Sequence, residues 1–440
     1  MWFVNQIPQM AKRIKPIKCP QCGGTQATET KTDYYRCKSC NSEFFIDNDD
    51  ININHRHTYD TPQLSAKHLK ALKFLGLGIA VFFLMMMAIP LLPSRTTYSP
   101  SAVQENKPYW YIEAVIPTAN KEGEPIAIAV GDIVSGNYPN QTYKPTFGFF
   151  HATTFKEIAA VPIDIEKVGD VSYKKMDEGK TYIVINKNRL FLLDEKTLSI
   201  SEVTPQNIGL AGLEKGFAKV ELVVAYENTL KITNNLGQEY YYYPKLNKAI
   251  LYGNYKEIDQ LIAQNPIAPQ GVTQFIFTEK GVGFSEKLTD KFPELFKVKT
   301  QSQIGYPYRE LMMRWNYNLS EQRVELETFK EESRIISYEN FTPERIYFKP
   351  EVLHYDDKEV LIHFKHELAE SSPYFFQVLD AQTGEVKFSL QSHKDMRYLR
   401  DDDVSKTKDG YLITLHGIFL LNTKEGKLEE LELREKLTQR

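Results

Sequence analysis

Beyond residue 40, this chain of 440 residues has no cysteine. A disulfide framework and a thiol nucleophile are therefore excluded from the last 400 residues. Tryptophan is scarce, at three in all, and neither sign of charge dominates, with 54 Lys+Arg against 57 Asp+Glu. Residues 94–440 carry 43 basic and 50 acidic side chains, so this large part has no global electrostatic reason to bind nucleic acid. Catalytic signatures are missing as well: the sequence contains neither G-x-S-x-G nor H-E-x-x-H. Gly179-Lys180-Thr181 matches the end of a phosphate-binding loop, but Lys174 stands where its first glycine is required, which excludes nucleotide binding by that motif.

All four cysteines fall in CPQCGGTQATETKTDYYRCKSC, as Cys19-x2-Cys22 and Cys37-x2-Cys40 separated by fourteen residues. Two such pairs can each place two sulfurs about 2.3 Å from one tetrahedral Zn²⁺. Gly23 and Gly24 follow the first pair, where a tight knuckle favours residues without a β-carbon. Residues 28–31 and 34–36 read as short strands between the pairs. The spacing thus predicts a Zn²⁺ site of Cys19, Cys22, Cys37 and Cys40 within residues 1–46, with metal binding supplying most of the folding free energy. A disulfide-linked quartet is the alternative.

YYRCKSCNSEFF, with aromatics on both sides of the second pair, resembles the zinc ribbons at the N-termini of many bacterial proteins and some transposases. The resemblance covers about 30 residues and implies a fold and a metal, without a function. Lys12, Arg13, Lys15 and Lys18 upstream favour contact with nucleic acid; a structural or protein-docking ribbon is the competing expectation.

Residues 74–92, FLGLGIAVFFLMMMAIPLL, contain no charge and no polar stripe. At 1.5 Å per residue this stretch extends about 28 Å, close to the roughly 30 Å hydrocarbon core of a bilayer, and it is expected to be a single transmembrane helix. Lys67, Lys70 and Lys73 precede it, whereas Arg95 and Lys107 follow, which orients the N-terminus toward the cytoplasm of a bacterial inner membrane. The cysteines agree with this orientation, because it leaves every thiol in a reducing compartment. Residues 47–73 form a polar, then basic linker in which His55 and His57 read as solvated side chains, and residues 93–108 form a second linker.

Residues 109–440 alternate short apolar runs with turn residues, and Tyr and Phe together number 51 of the chain's 54 aromatic residues, as expected of strands. YIVINKNRLFLLDEKTLSI (182–200) and YLITLHGIFLLNTKEGKL (411–428) overlay as strand, tight turn, strand, polar turn, strand. Turn residues Asp194, Thr233, Asp380 and Asn422 space adjacent units 39 and 42 residues apart, which is the period of a propeller blade. LDAQTGEVKF (379–388) resembles the third-to-fourth strand turn of quinoprotein-type propellers, although that family's tryptophan-docking pattern is absent, which leaves a quinone cofactor without support. The expected class is mainly β: a propeller-like domain of six to eight blades, or alternatively two β-sandwich-like lobes. Residues 255–264 read as a helical insertion, residues 270–347 fit the repeat poorly, and residues 109–116 are expected to close the ring by pairing beside the last strands.

DDDVSKTKD (401–409) starts like a calcium loop but has Lys406 and Leu412 where Gly and Glu are needed, so a solvated acidic loop is expected. His363 and His366 would suit a metal on a helix, but their surroundings read as a strand that turns them to opposite faces. No catalytic residue and no small-molecule cofactor are inferred. The functional expectation is a non-enzymatic, membrane-anchored interaction or scaffold protein that meets a protein partner through its large domain. Two alternatives stand beside it: a tethered regulator that senses an external ligand while its ribbon contacts nucleic acid or the transcription machinery, and a propeller enzyme of unknown substrate.

Overall fold

The computed structural model describes residues 19, 26–31, 34–38, 43–45, 107–136, 139–176, 179–223, 229–263, 271–281, 285–300, 311–328, 335–392 and 396–438. Cys22, Cys40, the basic residues at 12–18, His55, His57 and the apolar stretch 74–92 lie outside the described residues. Among the described residues, no helix is long and apolar enough to cross a membrane. Two compact units divide the chain, Met1–Ile46 with Lys107–Arg440, and Asp47–Asn106.

Near the N-terminus, β1 (Ala27–Lys31), β2 (Tyr34–Cys37) and β3 (Glu43–Phe45) form an antiparallel sheet in that order. Both strands expected between the cysteine pairs are present. Arg36 faces Glu43 across the β2–β3 ladder, and the two side chains form an ion pair.

From Lys107 onward the chain is strand-rich, and most sheets are four-stranded antiparallel meanders in chain order. The first comprises β4 (Tyr109–Ala119), β5 (Pro125–Ser135), β6 (Thr142–His151) and β7 (Glu157–Pro162); the second comprises β8 (Val171–Met176), β9 (Lys180–Ile185), β10 (Arg189–Asp194) and β11 (Ser199–Val203). The third holds β12 (Phe217–Leu222), β13 (Leu230–Asn234), β14 (Glu239–Tyr243) and β15 (Lys248–Leu251), followed by helix α1 (Tyr255–Ala263). This helix is the expected insertion. Its Ile258 and Leu261, three residues apart on one face, bury against Tyr241, Tyr243 and Ile250.

The region that fitted the repeat poorly is the one that departs from the meander. Here β16 (Val272–Phe277), β18 (Leu295–Thr300) and β21 (Ile335–Asn340) form a fourth sheet, while β17 (Glu279–Lys280), β19 (Met313–Asn318) and β20 (Arg323–Thr328) form a side sheet with a parallel β17–β19 pairing. Regularity then returns. The fifth sheet is β22 (Phe348–Tyr355), β23 (Glu359–Lys365), β24 (Tyr374–Asp380) and β25 (Val386–Gln391); the sixth is β26 (Val404–Thr407), β27 (Gly410–Thr414), β28 (Ile418–Asn422) and β29 (Lys427–Glu430), with helix α2 (Leu433–Thr438) after it.

Alternation along each strand sends successive side chains to opposite faces, and each face finds a different neighbour. Val115 on β4 joins Leu412, Ile418 and Leu420 of the sixth sheet, whereas the next residue, Ile116, joins Ile183 and Leu193 of the second. Shared clusters likewise unite the second sheet with the third, the fourth with the fifth, and the fifth with the sixth. At roughly 1.5–3 kcal/mol per buried large apolar side chain, these interfaces are the main stabilising contribution, offset by chain entropy. The first strands are neighbours too: β4 lies against β8 and β26, β8 against β12, and β22 against both β16 and β26.

Two sequence expectations need correction. β4 does not pair beside the last strands; it heads its own sheet with β5, and the first and sixth sheets meet by face packing, because residues on both faces of β4 are apolar and each face is covered. Thr233 is also not equivalent to the other turn residues. Asp194, Asp380 and Asn422 end third strands, whereas Thr233 lies near the end of β13, a second strand, where Asn234 binds the turn. In the three matching turns, the side-chain oxygen accepts two backbone N–H groups ahead of it, and the fifth residue is left-handed: Leu198 (φ 51°), Gly384 (φ 72°) and Gly426 (φ 72°).

Candidate functional site

Two places carry residues singled out by the sequence or the fold. In the first, Cys19 (1% exposed) and Cys37 (0%) share one buried cluster, with Ala27 and Tyr35 packed against it. Cys37 closes β2, and register sets it opposite Ala27. The N–H of Lys38 donates to the carbonyl of Gln26, at 2.9 Å, and fixes the chain just past that cysteine.

The second is a cavity of about 1510 Å³ bounded by the first strands of the second to fifth sheets and the start of the sixth. The ends of β8 and β12 meet, as do those of β26 and β22. Lys174 Nζ near the end of β8 donates to the carbonyl of Val223, just past β12, and Lys406 on β26 reaches Asp356, just past β22. On β8, alternation turns Tyr173 and Lys175 toward the sixth sheet and Lys174 toward the third. The Tyr173 hydroxyl donates to Asp403 Oδ1 at 2.9 Å, and Lys175 Nζ donates to the Val404 carbonyl and to Ser405 Oγ. Lys175 also gives its backbone N–H to Asp402 Oδ1, at 2.6 Å.

The acidic run is therefore not a solvated loop. Residues Asp401–Asp403 form a short 3-10 turn just before β26, with Asp403 buried and Asp402 half-buried. Its bonding partners come from β8, some 230 residues away in sequence, where local reading has no access. Burial, reinforced by the negative charge of Asp401, pushes the Asp402 carboxyl up to about 6. Burial also lowers the Lys175 ammonium from its ordinary value, against the pull of nearby carboxylates, Glu195 first.

A polar knot adjoins His354, which lines the cavity. Lys406 Nζ bridges Asp356 and Glu359, and the Tyr411 hydroxyl donates to Glu359. Burial works against the charge of Asp356, but its bonds to Lys406 and to two backbone N–H groups hold it down at about 2. His354 lies edge-on to Tyr411, and burial pushes it down to about 4. It is neutral at pH 7. Exposed charges of both signs remain on the lining, including Asp170, Lys187, Lys219, Glu351 and Arg400. Beside them lie apolar side chains such as Val272, Met312 and Val352, so the lining suits a large ligand with polar and apolar parts.

His363 lies on β23 and His366 just beyond it, as the strand reading expects. His363 stacks on Tyr374 and His366 packs on Phe375. Both are held neutral by burial, at about 3 and about 4 respectively. Among the described residues, no group of three or more His, Cys, Asp or Glu is arranged to hold a metal ion. The signal that sequence reading missed was Tyr173 and Lys175, whose two-residue spacing on a strand marks one face but not its partner.

No family model matches the chain, and no curated protein matches it. Among solved structures, a chain of the S. cerevisiae assembly of a Dbp5 variant bound to Nup159, a Gle1 variant, IP6 and ADP aligns with a TM-score of 0.19 and 10% identity. That alignment covers 66% of this chain and 62% of that one. YCF48 bound to D1 peptide aligns with a TM-score of 0.21 and 10% identity, over 75% of this chain and 96% of that one. Superpositions this loose carry no argument about fold or function.

Proposed function

We propose that the chain is a single-pass membrane protein whose large domain is a closed, six-bladed propeller and recognises an extracytoplasmic protein partner in its central channel. The observation that carries this reading is the cavity of about 1510 Å³ bounded by the first strands of successive sheets. Six sheets in order, each sharing a core with the next over most of the circuit, and the first with the sixth, support the ring. The side sheet β17–β19–β20 is an elaboration of the fourth blade.

Residues 74–92 serve as the anchor, with the N-terminus in the cytoplasm of the inner membrane. Cys19, Cys22, Cys37 and Cys40 hold one structural Zn²⁺; the fit rests on the double CxxC spacing and on Cys19 and Cys37 being buried in one cluster. A rigid walled channel lined by mixed charge and apolar side chains suits recognition, and no catalytic step is assigned to it.

Proximity labelling from the large domain in native membranes tests the reading. Gln274→Trp places an indole in the channel and is expected to remove at least one labelled partner while the level of full-length protein stays constant. An unchanged set of labelled proteins at equal level would show that the channel is not the recognition site.

A further inference from the structure

We propose that the end of the β domain at which the chain enters from the membrane rests on the bilayer surface. This inference depends on the anchor reading of residues 74–92. In every meander whose first strand leaves that end, the turn between the second and third strands returns to it, and the turns after the first and third strands lie at the opposite end. The two ends differ in chemistry. At the near end, the turn of the third sheet presents Leu236 and that of the fifth presents Leu368, each 66% exposed. Tyr111 on β4 (50% exposed) and Tyr143 on β6 (39%) stand at the same end, with Lys167 Nζ over both rings at 5.7 and 4.7 Å.

At the opposite end, the fully described turns are 120–124, 152–156, 195–198, 244–247, 356–358, 381–385, 408–409 and 423–426. None of the residues in these turns is an exposed large apolar side chain, and more than half are charged or amide-bearing; the exposed apolar side chains beside them are Ile158 on β7 and Tyr355 at the end of β22. Single exposed leucines are ordinary on a soluble surface. Leu319, 61% exposed, lies in the β19–β20 turn of the side sheet; among the described turns of the meanders, exposed leucines occur only at the near end, and that is what calls for a partner.

The occupant follows from the tether. Fourteen residues separate the end of the apolar stretch at 92 from Lys107, where the described domain starts, so that the near end can stand no farther than about 50 Å from the bilayer even on a fully extended chain. Tyrosine rings with an adjacent lysine, and leucines at turn tips, are the side chains that settle at the headgroup boundary, apolar body inward and polar tip outward. Charge at this end is of mixed sign, with Glu166, Asp170 and Glu367 beside Lys107, Lys167 and Lys187. Contact with phospholipid is therefore apolar and aromatic in origin and insensitive to salt.

The test uses the full chain in phosphatidylcholine nanodiscs doped with a lipid bearing a photoreactive headgroup, with cross-linked peptides mapped by mass spectrometry. Cross-links at 139–144, 235–238 and 366–373 in addition to 74–92 are expected. Leu236→Asp combined with Leu368→Asp should reduce cross-linking in those two turns at least fivefold and leave the yield at 74–92 unchanged. Cross-links confined to 74–92, or an unaltered yield in the double variant, would overturn the docking and leave the anchor standing. No cross-link at 74–92 would overturn the anchor itself and the docking with it.

Discussion

Ser405 Oγ donates a 2.7 Å hydrogen bond to the carbonyl of Pro117, 288 residues earlier in the chain. The same oxygen accepts from Lys175 Nζ at 2.6 Å, so one hydroxyl ties the sixth sheet to the first and the second. One turn further on, the N–H of Lys408 donates to the Gly123 carbonyl, at 2.7 Å. Both ends of the domain are joined here without exchanging a strand.

Ser405→Ala removes the donor to Pro117 and one acceptor of a buried ammonium. The loss is expected to be about 1–3 kcal/mol, the usual penalty for buried polar groups left unpaired. Chemical unfolding of the full chain in micelles measures it, with the exposed Ser199→Ala as the control, expected within about 0.5 kcal/mol. Equal midpoints for the two variants would mean that the closure is held elsewhere.

The Asp/Asn turns make a second prediction. Gly426 has φ 72° and open space around its absent β-carbon, so Gly426→Ala is opposed by backbone conformation alone. A cost of about 1 kcal/mol follows. Gly410 differs, because an added β-carbon would meet the Leu421 carbonyl at 1.9 Å. Gly410→Ala should therefore cost clearly more than Gly426→Ala in the same unfolding assay, and the reverse ranking would contradict the described β27–β28 geometry.

These turns were the most legible part of the fold. An Asp or Asn that binds two backbone N–H groups ahead of it is a local signal, and it placed the hairpins of 182–200 and 411–428 where β9–β11 and β27–β29 stand. Helix α1 was legible from the spacing of Ile258 and Leu261. What local reading could not supply was partnership over distance. The run at 401–403 looks solvated until β8 brings Tyr173 and Lys175 to it, and β4 looks like a closing strand until its two faces are seen covered by different sheets. The cavity was not legible at all, since no single segment encodes it.

The pH dependence of stability should show two opposed contributions. Asp402 is raised from 3.8 to about 6, chiefly by burial, so its contribution is fully present below about pH 4 and is lost as pH rises through 6. His354 and His366 are lowered from 6.5 to about 4 and His363 to about 3 by burial, so their joint contribution is present above pH 6.5 and is lost as pH falls through those values. Asp402→Asn keeps an acceptor for the Lys175 N–H and removes the first contribution only. The variant is expected to be more stable than the parent above pH 6 by about 1–2 kcal/mol, equal to it below pH 4, and steeper in its acid loss between those values. Parallel unfolding curves from pH 4 to 7.5 would contradict this assignment.

If the four cysteines hold zinc, the full chain should contain one Zn²⁺ per molecule and Cys37→Ser should contain almost none. Structural zinc supplies on the order of 10–16 kcal/mol to units this small, so the variant should lose proteolytic resistance in residues 1–46 while the β domain melts unchanged. Metal analysis and limited proteolysis read both effects. A disulfide-bonded quartet recovered from cells, with no zinc, would replace the metal assignment.

Topology provides the last prediction. Three lysines before residues 74–92 and two basic residues in the fifteen that follow orient the chain by a narrow margin, and the clustering of all four thiols before residue 41 orients it the same way. In intact cells, Ser101→Cys in the second linker should therefore react with a membrane-impermeant maleimide, and Ser65→Cys in the first should react only after lysis. Native cysteines do not confuse the readout, because all four stand on the side of Ser65 and would be labelled only when the inner compartment is opened. The opposite pattern would place the β domain in the cytosol, where absent thiols carry no advantage, and would move the search for its channel partner there. Labelling of both sites before lysis would instead mean that the apolar stretch does not separate two compartments, and the anchor reading would be lost.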